Sequence, residues 1–383
     1  MFGSEGEVGR SRPTILVLAG EASGDQHAAR LIRALMQRCP GRRVTGIGGE
    51  AMRAQGVELF AGLEKLAVMG FAEVVARIPF FAQLERRILT LLDSGYIDLV
   101  IPVDYPGFNL RITRAAHQRG IPVLYYIPPK VWAWRPSRAR RLAKTADHIA
   151  VILPFEKKIF EQVGAAVTFV GHPLLDEKIS NPDRESFCRD SGLDPEHPIL
   201  AIFPGSRSQE LSRHLKVFLG AGRLTMTNHP RLQLVIARAS SIHPSSFNEL
   251  GVTVVDDGQS LLAHARAALV KSGTSTLEAA LKGTPFVTAY RMNPLSFFLA
   301  ERLVQIDRVS LVNLLAGRDV VPEVLQNEVT PERMAELLNP LLDVESSIRE
   351  KMVTDLARVR SSLGESGASV RVAQLAGELL GET

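Results

Sequence analysis

Cysteine is scarce: Cys39 and Cys188 are the only two in 383 residues, far apart in sequence and outside any C-x-x-C spacing. That excludes a disulfide framework and a zinc site built on paired thiols, and it points to a reducing compartment. Long apolar runs are missing too. A spanning helix needs roughly 18 apolar residues without charge, and the nearest stretch, Phe286–Val304, is interrupted by Arg291 and Glu301. A soluble or peripheral protein is expected. Charge of one sign is not in large excess: the formal net charge is +4 with 22% charged residues, which fits a local cationic patch and not a nucleic-acid-coating protein. Met1–Pro13 is polar and glycine-rich and has no apolar core; residues 1–13 read as a disordered leader and not as a signal peptide.

What the chain does have is regular alternation. Apolar runs of strand length recur at Thr14–Ala19, Val44–Ile47, Leu99–Val103, Val123–Ile127, His148–Leu153, Ile199–Phe203, Leu232–Ala237, Val252–Val255, Ala267–Val270 and Phe286–Ala289. Amphipathic segments lie between them, among them His27–Arg38, Gln83–Leu92, Phe108–Arg119, Gln209–Met226, Ser260–His264 and Ser275–Leu281. The pattern predicts an α/β protein with parallel sheets and helices on both faces. The length suits two such domains. The polar, proline-bearing stretch from Gly171-His172-Pro173 to Pro198 marks the boundary, and Thr330–Gly381 reads as a helical tail with Pro331 at a first-turn position.

Two loops in separate halves carry most of the chemistry: Glu21-Ala22-Ser23-Gly24-Asp25 after the first strand, and Lys271-Ser272-Gly273-Thr274-Ser275-Thr276-Leu277-Glu278 after Ala267–Val270. Each reads as strand, glycine-containing turn and helix, an arrangement that points unpaired N–H groups at a ligand. Ser272, Gly273, Thr274 and Ser275 offer hydroxyls and close backbone approach for a phosphate, and Glu278 suits ribose hydroxyls; a plainly capped helix is the alternative. Gly205-Ser206-Arg207 follows Ile199–Phe203. Arginine there suits a diphosphate, or Ser206 is an N-cap beside a solvated Arg207.

In the first half, Asp104 stands just beyond a buried strand in Asp104-Tyr105-Pro106-Gly107-Phe108-Asn109. A carboxylate at that end of a parallel strand is a candidate general base, or it caps the following helix. Glu21 either binds an acceptor hydroxyl or partners a helix dipole. Trp132 and Trp134, followed by Arg135, Arg138, Arg140 and Arg141, could grip RNA, a sugar face or an anionic lipid, or simply pack. Val68, Met69 and Phe71, with Phe80 and Phe81 beyond Pro79, form a segment too apolar for a surface loop. It fits either docking on acyl chains or interior packing. His172, with no second metal ligand at a suitable spacing, reads as a hinge or nucleotide contact.

Several of these motifs, in order, resemble lipid-A-disaccharide synthases. They are Ala19-Gly20-Glu21-Ala22-Ser23-Gly24-Asp25, Gly48-Gly49 with Met52, Met69-Gly70-Phe71-Ala72-Glu73-Val74, Asp104 to Leu110, and Val131-Trp132-Ala133-Trp134-Arg135. Further along come Phe169 to Leu174, Pro204-Gly205-Ser206-Arg207, Ser272-Gly273-Thr274, Asn313-Leu314-Leu315 and Val321-Pro322-Glu323. Lys130 stands where the pattern has a small residue, and Val312 where it has proline.

The resemblance implies a GT-B fold: two Rossmann-like doubly wound domains facing across a cleft. Residues 14–172 would form an acceptor and membrane-facing domain and 173–345 a UDP-sugar domain. The helices of 346–383 would pack back on the first domain or swap in a homodimer. It implies a metal-independent, cofactor-free, inverting transfer from UDP-2,3-diacylglucosamine to 2,3-diacylglucosamine 1-phosphate (lipid X), at the cytoplasmic face of a Gram-negative inner membrane. Asp104 would be the base and Glu21 would lie close to the acceptor. Ser206 and Arg207 would hold the diphosphate, Glu278 the ribose, and Asn313 would complete the donor pocket. Detergent-independent activity on soluble sugars would instead indicate another UDP-sugar enzyme, a UDP-N-acetylglucosamine 2-epimerase or a muramyl transferase. UDP binding without turnover would indicate a nucleotide-sensing membrane adaptor.

Overall fold

The computed structural model describes residues 14–63, 78–133, 137–176, 182–293 and 308–382. Two compact units emerge: the described residues up to Asp176 with those from Gly364 onward, and the described residues of Glu177–Leu363. The chain thus leaves the first unit four residues beyond the expected boundary at 172. The expected tail 346–383 divides at Leu363 between the two units.

The first unit runs β1 (Thr14–Ala19), α1 (Ala22–Arg38), β2 (Arg43–Gly48), α2 (Glu50–Arg53), β3 (Glu58–Gly62), α3 (Ile78–Asp93), β4 (Ile97–Val103), α4 (Pro106–His117), β5 (Leu124–Tyr126), α5 (Ser137–Ala143), β6 (His148–Val151), α6 (Pro154–Glu161) and β7 (Val167–Phe169). Its sheet has the order β3-β2-β1-β4-β5-β6-β7, with parallel pairings. The second unit runs α7 (Arg184–Ser191), β8 (Ile199–Phe203), α8 (Ser208–Asn228), β9 (Gln233–Ala237), β10 (Thr253–Val255), α9 (Gly258–His264), β11 (Ala267–Lys271), α10 (Thr274–Lys282), β12 (Phe286–Tyr290), α11 (Leu311–Ala316), β13 (Glu323–Leu325), α12 (Pro331–Leu342) and α13 (Ser347–Ser362). Its sheet order is β10-β9-β8-β11-β12-β13, also parallel. A last helix, α14 (Ala368–Leu379), places Ala368, Val372, Ala373 and Ala376 in the first unit's core beside Ile32 and Leu35 of α1.

The apolar runs of β1, β4, β8 and β11 are buried on both faces, which is why they read as continuous hydrophobic stretches and not as alternating ones. In each sheet the winding direction reverses between the first strand and the fourth: between β1 and β4, and between β8 and β11. Loops at the carboxyl ends of those strands border the crevice where doubly wound sheets bind ligands.

The return of α14 is held by a carboxylate far away in sequence. Asp176, at the end of a 3-10 turn (Pro173–Asp176), accepts from the backbone N–H groups of Gly367 at 2.6 Å, Ala368 at 3.1 Å and Ser369 at 2.9 Å. It serves as an N-cap supplied from 191 residues away.

Candidate active-site loops at the two switch points

In the first unit the loop after β1 carries Gly20 and Glu21, and the loop after β4 carries Asp104 and Tyr105. Gly20 has to be glycine. A Cβ there would lie 2.3 Å from the Tyr105 ring, so the missing side chain is what lets the two loops meet. Asp104 and Tyr105 both adopt left-handed backbone, at φ 50 and 48. Aspartate tolerates this region, but for a bulky tyrosine it is unfavourable. The surroundings hold the turn. Asp104 N–H donates to Tyr126 O at 3.1 Å, and the Asp104 carbonyl accepts from Asn109 Nδ2 at 2.7 Å and from the Tyr125 hydroxyl at 3.1 Å. Strain maintained in this way is concentrated at functional positions.

The Asp104 carboxyl is pushed up to about 6 by burial and by the negative charge of Glu21, against the opposing pull of Lys130 and the Tyr105 N–H. Asp104 precedes the N-cap of α4, which is Tyr105 and supplies no side-chain cap bond. Glu21 is the exposed N-cap residue of α1 and likewise makes no side-chain cap bond. Asp25, from the same motif, is structural. It is buried and accepts from the N–H groups of Gly49 at 2.7 Å, Ala51 at 3.0 Å and Met52 at 3.1 Å, capping α2.

His172 belongs to the turn that ends this unit. It is buried, its Nδ1 accepts from Leu174 N–H at 3.3 Å, and burial lowers its pKa to about 4, so the ring is neutral. With Nδ1 accepting, the proton of the neutral ring lies on Nε2.

In the second unit the loops after β8 and β11 are joined through an ion pair. Lys271, the last residue of β11, donates to Glu210 Oε1 at 2.7 Å, and Glu210 Oε2 accepts the Ser206 N–H at 3.0 Å. Burial pushes the Glu210 carboxyl up, but Lys271 outweighs it and holds the group below the ordinary glutamate value. Gly205, at φ 123, lies where a Cβ would strike the Glu210 Cβ at 2.6 Å. The N-cap of α8 is Arg207 and not Ser206. That of α10 is Gly273, and neither supplies a side-chain cap. Ser206 is thus not the cap that the alternative reading of its loop expects, while Gly273 caps α10 without a side chain. Arg207, Ser206 and Thr274 are exposed, Ser275 and Glu278 are half-buried, and the buried Ser272 hydroxyl donates to Val309 O at 3.2 Å.

Asn313 lies inside the second unit. Its side chain is 0% exposed and both arms are used: Nδ2 donates to Val321 O and to Glu323 Oε1, each at 2.8 Å, while Oδ1 accepts from Val320 N–H at 2.7 Å and Val321 N–H at 2.9 Å. All of its hydrogen-bonding capacity is spent. Asn313 braces the turn at Val320 and Val321 and, through Glu323, the loop that carries Val309.

The apolar segment also changes. Phe80 and Phe81 are half-buried against the first unit's core, 5.5 Å apart edge to face, with Phe81 6.1 Å from the Phe108 ring. Pro79 is the second described residue of α3, and the helix continues from it to Asp93. The half-buried Trp132 donates its indole N–H to buried Glu156 at 3.0 Å, so its polar edge is engaged within the unit. Val68, Met69, Phe71, Trp134 and Arg135 lie outside the described residues. Among those described, no helix is long and apolar enough to cross a membrane, and no group of three or more His, Cys, Asp or Glu side chains could hold a metal.

The motif pattern overlooked Glu210, although its place three residues after Arg207 is the capping-box position. It also passed over Asn109 as the anchor of Asp104. Nothing local reveals that role, because the amide also reaches Leu18 O in β1 at 3.1 Å.

The family model described as lipid-A-disaccharide synthetase matches residues 15–376. The chain belongs to the lipid-A-disaccharide synthase family. It is 40% identical over 376 residues to the lipid-A-disaccharide synthase of Myxococcus xanthus, covering 96% of this chain and 98% of that protein. Among solved structures, a UDP-GlcNAc 2-epimerase from Neisseria meningitidis bound to UDP-GlcNAc aligns with a TM-score of 0.64 at 14% identity, over 96% of this chain and 99% of that one. The glycotransferase of kitacinnamycin aligns with a TM-score of 0.63 at 17% identity, over 96% and 99%. At such identities the likeness is one of fold, and the fold is GT-B: two doubly wound α/β units. Within the lipid-A-disaccharide synthase family, the two motif sets described above fall one in each unit.

Proposed function

We propose that the chain condenses UDP-2,3-diacylglucosamine with 2,3-diacylglucosamine 1-phosphate to form the β-1,6-linked lipid A disaccharide 1-phosphate and UDP. The observation that carries this reading, within the family, is Asp104. It is a carboxylate held in a strained turn at the first sheet's switch point, and its affinity for a proton is raised toward neutrality. In the proposed step Asp104 takes the proton of the acceptor 6-hydroxyl as the oxygen attacks the donor's anomeric carbon, and UDP leaves from the opposite face with inversion. A base poised near the working pH suits this transfer. Glu21 keeps Asp104 proton-hungry and lies toward the acceptor. Arg207 and the backbone N–H groups around Ser206, Gly273, Thr274 and Ser275 meet the charge that develops on the leaving diphosphate, the interaction that lowers the barrier most directly. Glu278 accepts from the ribose.

Both substrates carry acyl chains, so the protein works at a bilayer, as a peripheral protein on the inner face of the inner membrane. The exposed Arg140 and Arg141 of α5 face anionic headgroups. Incubating the purified protein with both acylated substrates in mixed micelles tests the reading. Mass spectrometry should find the disaccharide 1-phosphate and UDP, and the anomeric proton coupling should report the β linkage. Absence of both products from folded protein would sink it.

A further inference from the structure

The Glu210 carboxylate occupies the seat an incoming anion would want. It takes the Ser206 N–H at 3.0 Å and the Lys271 ammonium at 2.7 Å, two donors that a diphosphate at these loops would compete for. The residue is also locked in place. Its Cβ and Oε2 crowd the spot where a Gly205 side chain would be, and its carbonyl is bonded to His214 Nδ1 at 2.8 Å. Buried His214 in turn accepts the Arg291 N–H at 2.9 Å, so its proton lies on Nδ1 and the ring bridges the start of α8 to the end of β12. Lys271 Nζ lies 5.1 Å from the centre of the Tyr290 ring, on that same strand. A fixed negative charge is therefore built into the second unit's anion loop.

We infer that Glu210 makes this loop prefer the diphosphate diester of a UDP-sugar over free UDP, and so favours release of the product. The inference rests on the proposed function, in which the diphosphate binds at Ser206, Arg207 and Gly273. A UDP-sugar has no terminal phosphate monoester. Free UDP has one, and its second proton is lost near pH ~6, adding up to one further negative charge at neutral pH. A carboxylate hydrogen-bonded to the loop repels the more highly charged species more strongly. With one unit charge several ångströms away in a partly screened site, the discrimination is on the order of tenfold.

A bond from the third helical residue back to the turn also resembles a capping box, which would contribute to stability alone. Loss of such a cap disturbs donor and product alike. Only the charge changes their ratio. The test compares the inhibition constant for UDP with KM for UDP-2,3-diacylglucosamine, at pH 8 in mixed micelles, for wild type, Glu210→Gln and Glu210→Asp. The Ki/KM ratio should fall about tenfold in the glutamine variant, as expected for one removed charge, and stay near wild type in the aspartate variant. Should thermal melting show that the glutamine variant does not fold, Glu210→Ser removes the same charge while keeping a hydroxyl at the turn. An unchanged ratio in a folded neutral variant, or an equal fall in Glu210→Asp, overturns the inference alone. If UDP fails to bind wild type at all, the loop assignment and this inference fall together.

Discussion

Asn109 donates through its side-chain amide to the carbonyl oxygen of Asp104 at 2.7 Å, and the same nitrogen lies 3.1 Å from Leu18 O in β1. One buried amide thus ties the left-handed turn at Asp104 to the neighbouring strand, across the point where the sheet reverses direction. The carboxylate is positioned by a residue with almost no exposed surface. Replacing Asn109 with Leu should therefore lower kcat through Asp104 while leaving UDP affinity in the other unit intact. Steady-state kinetics and UDP titration of the same preparation separate the two effects.

The acid limb of the pH profile should belong to Asp104. A base works only when deprotonated, so with the group near 6 kcat/KM should rise as pH increases through about that value and be lost below it. Glu21→Gln removes a charge that raises this pKa and should move the limb to lower pH; Lys130→Met removes one that lowers it and should move the limb up. Asp104→Asn should cost on the order of 10²–10⁴ in kcat with donor binding retained. Turnover near wild type in that variant would remove Asp104 from the mechanism.

Arg207→Ala should weaken UDP binding by about 2 kcal/mol, the scale of a charge-assisted hydrogen bond. Arg207→Lys should recover only part of the loss, because an ammonium cannot reproduce a planar fork on a diphosphate. Isothermal titration measures both. Unchanged affinity in the alanine variant would move the anion site away from the loop after β8.

Asn313→Ala should destabilise the protein by about 2–4 kcal/mol, since it leaves the buried N–H groups of Val320 and Val321 without their acceptor and takes one of three donors from the Glu323 carboxylate. Urea denaturation gives the figure. A variant of full stability with selectively lost UDP affinity would make Asn313 a donor contact instead of a brace.

Arg140→Gln combined with Arg141→Gln should reduce flotation with liposomes containing anionic lipid by about 2 kcal/mol of binding free energy, near 1 for each basic side chain at the surface. Added salt should weaken the wild type in the same direction. Phe80→Ser with Phe81→Ser makes a poorer probe than the sequence alone suggests: both rings pack on the core, so a lower melting temperature should accompany any loss of flotation. Unaltered flotation of the arginine variant would place the docking surface elsewhere.

The sequence by itself determined the α/β alternation and the family. Runs such as Thr14–Ala19 and Ile199–Phe203 are strands over those same residues, because a strand buried on both faces must be continuously apolar and that is visible locally. The short strands Glu58–Gly62, Val167–Phe169 and Glu323–Leu325 were not legible. Each lies at the edge of its sheet and is only partly buried, so no apolar run marks it. Likewise α1 begins at Ala22 and not His27, since its first turn, with Ser23 and Gln26 exposed, carries little apolar pattern.

The motifs pointed to Glu21, Asp104, Ser206 and Arg207, but only the tertiary structure decided which polar groups meet inside the protein. Asp25 and Asn313 spend their hydrogen bonds inside the protein. Glu210 and Lys271, 61 residues apart, become one ion pair. Asp176 caps a helix 191 residues away. The physical reason is one of range. Hydrophobic periodicity repeats within a few residues and so can be read along the chain. Which donor meets which acceptor is settled only when folding brings distant loops to the same end of a sheet, where each buried polar group must find its partner.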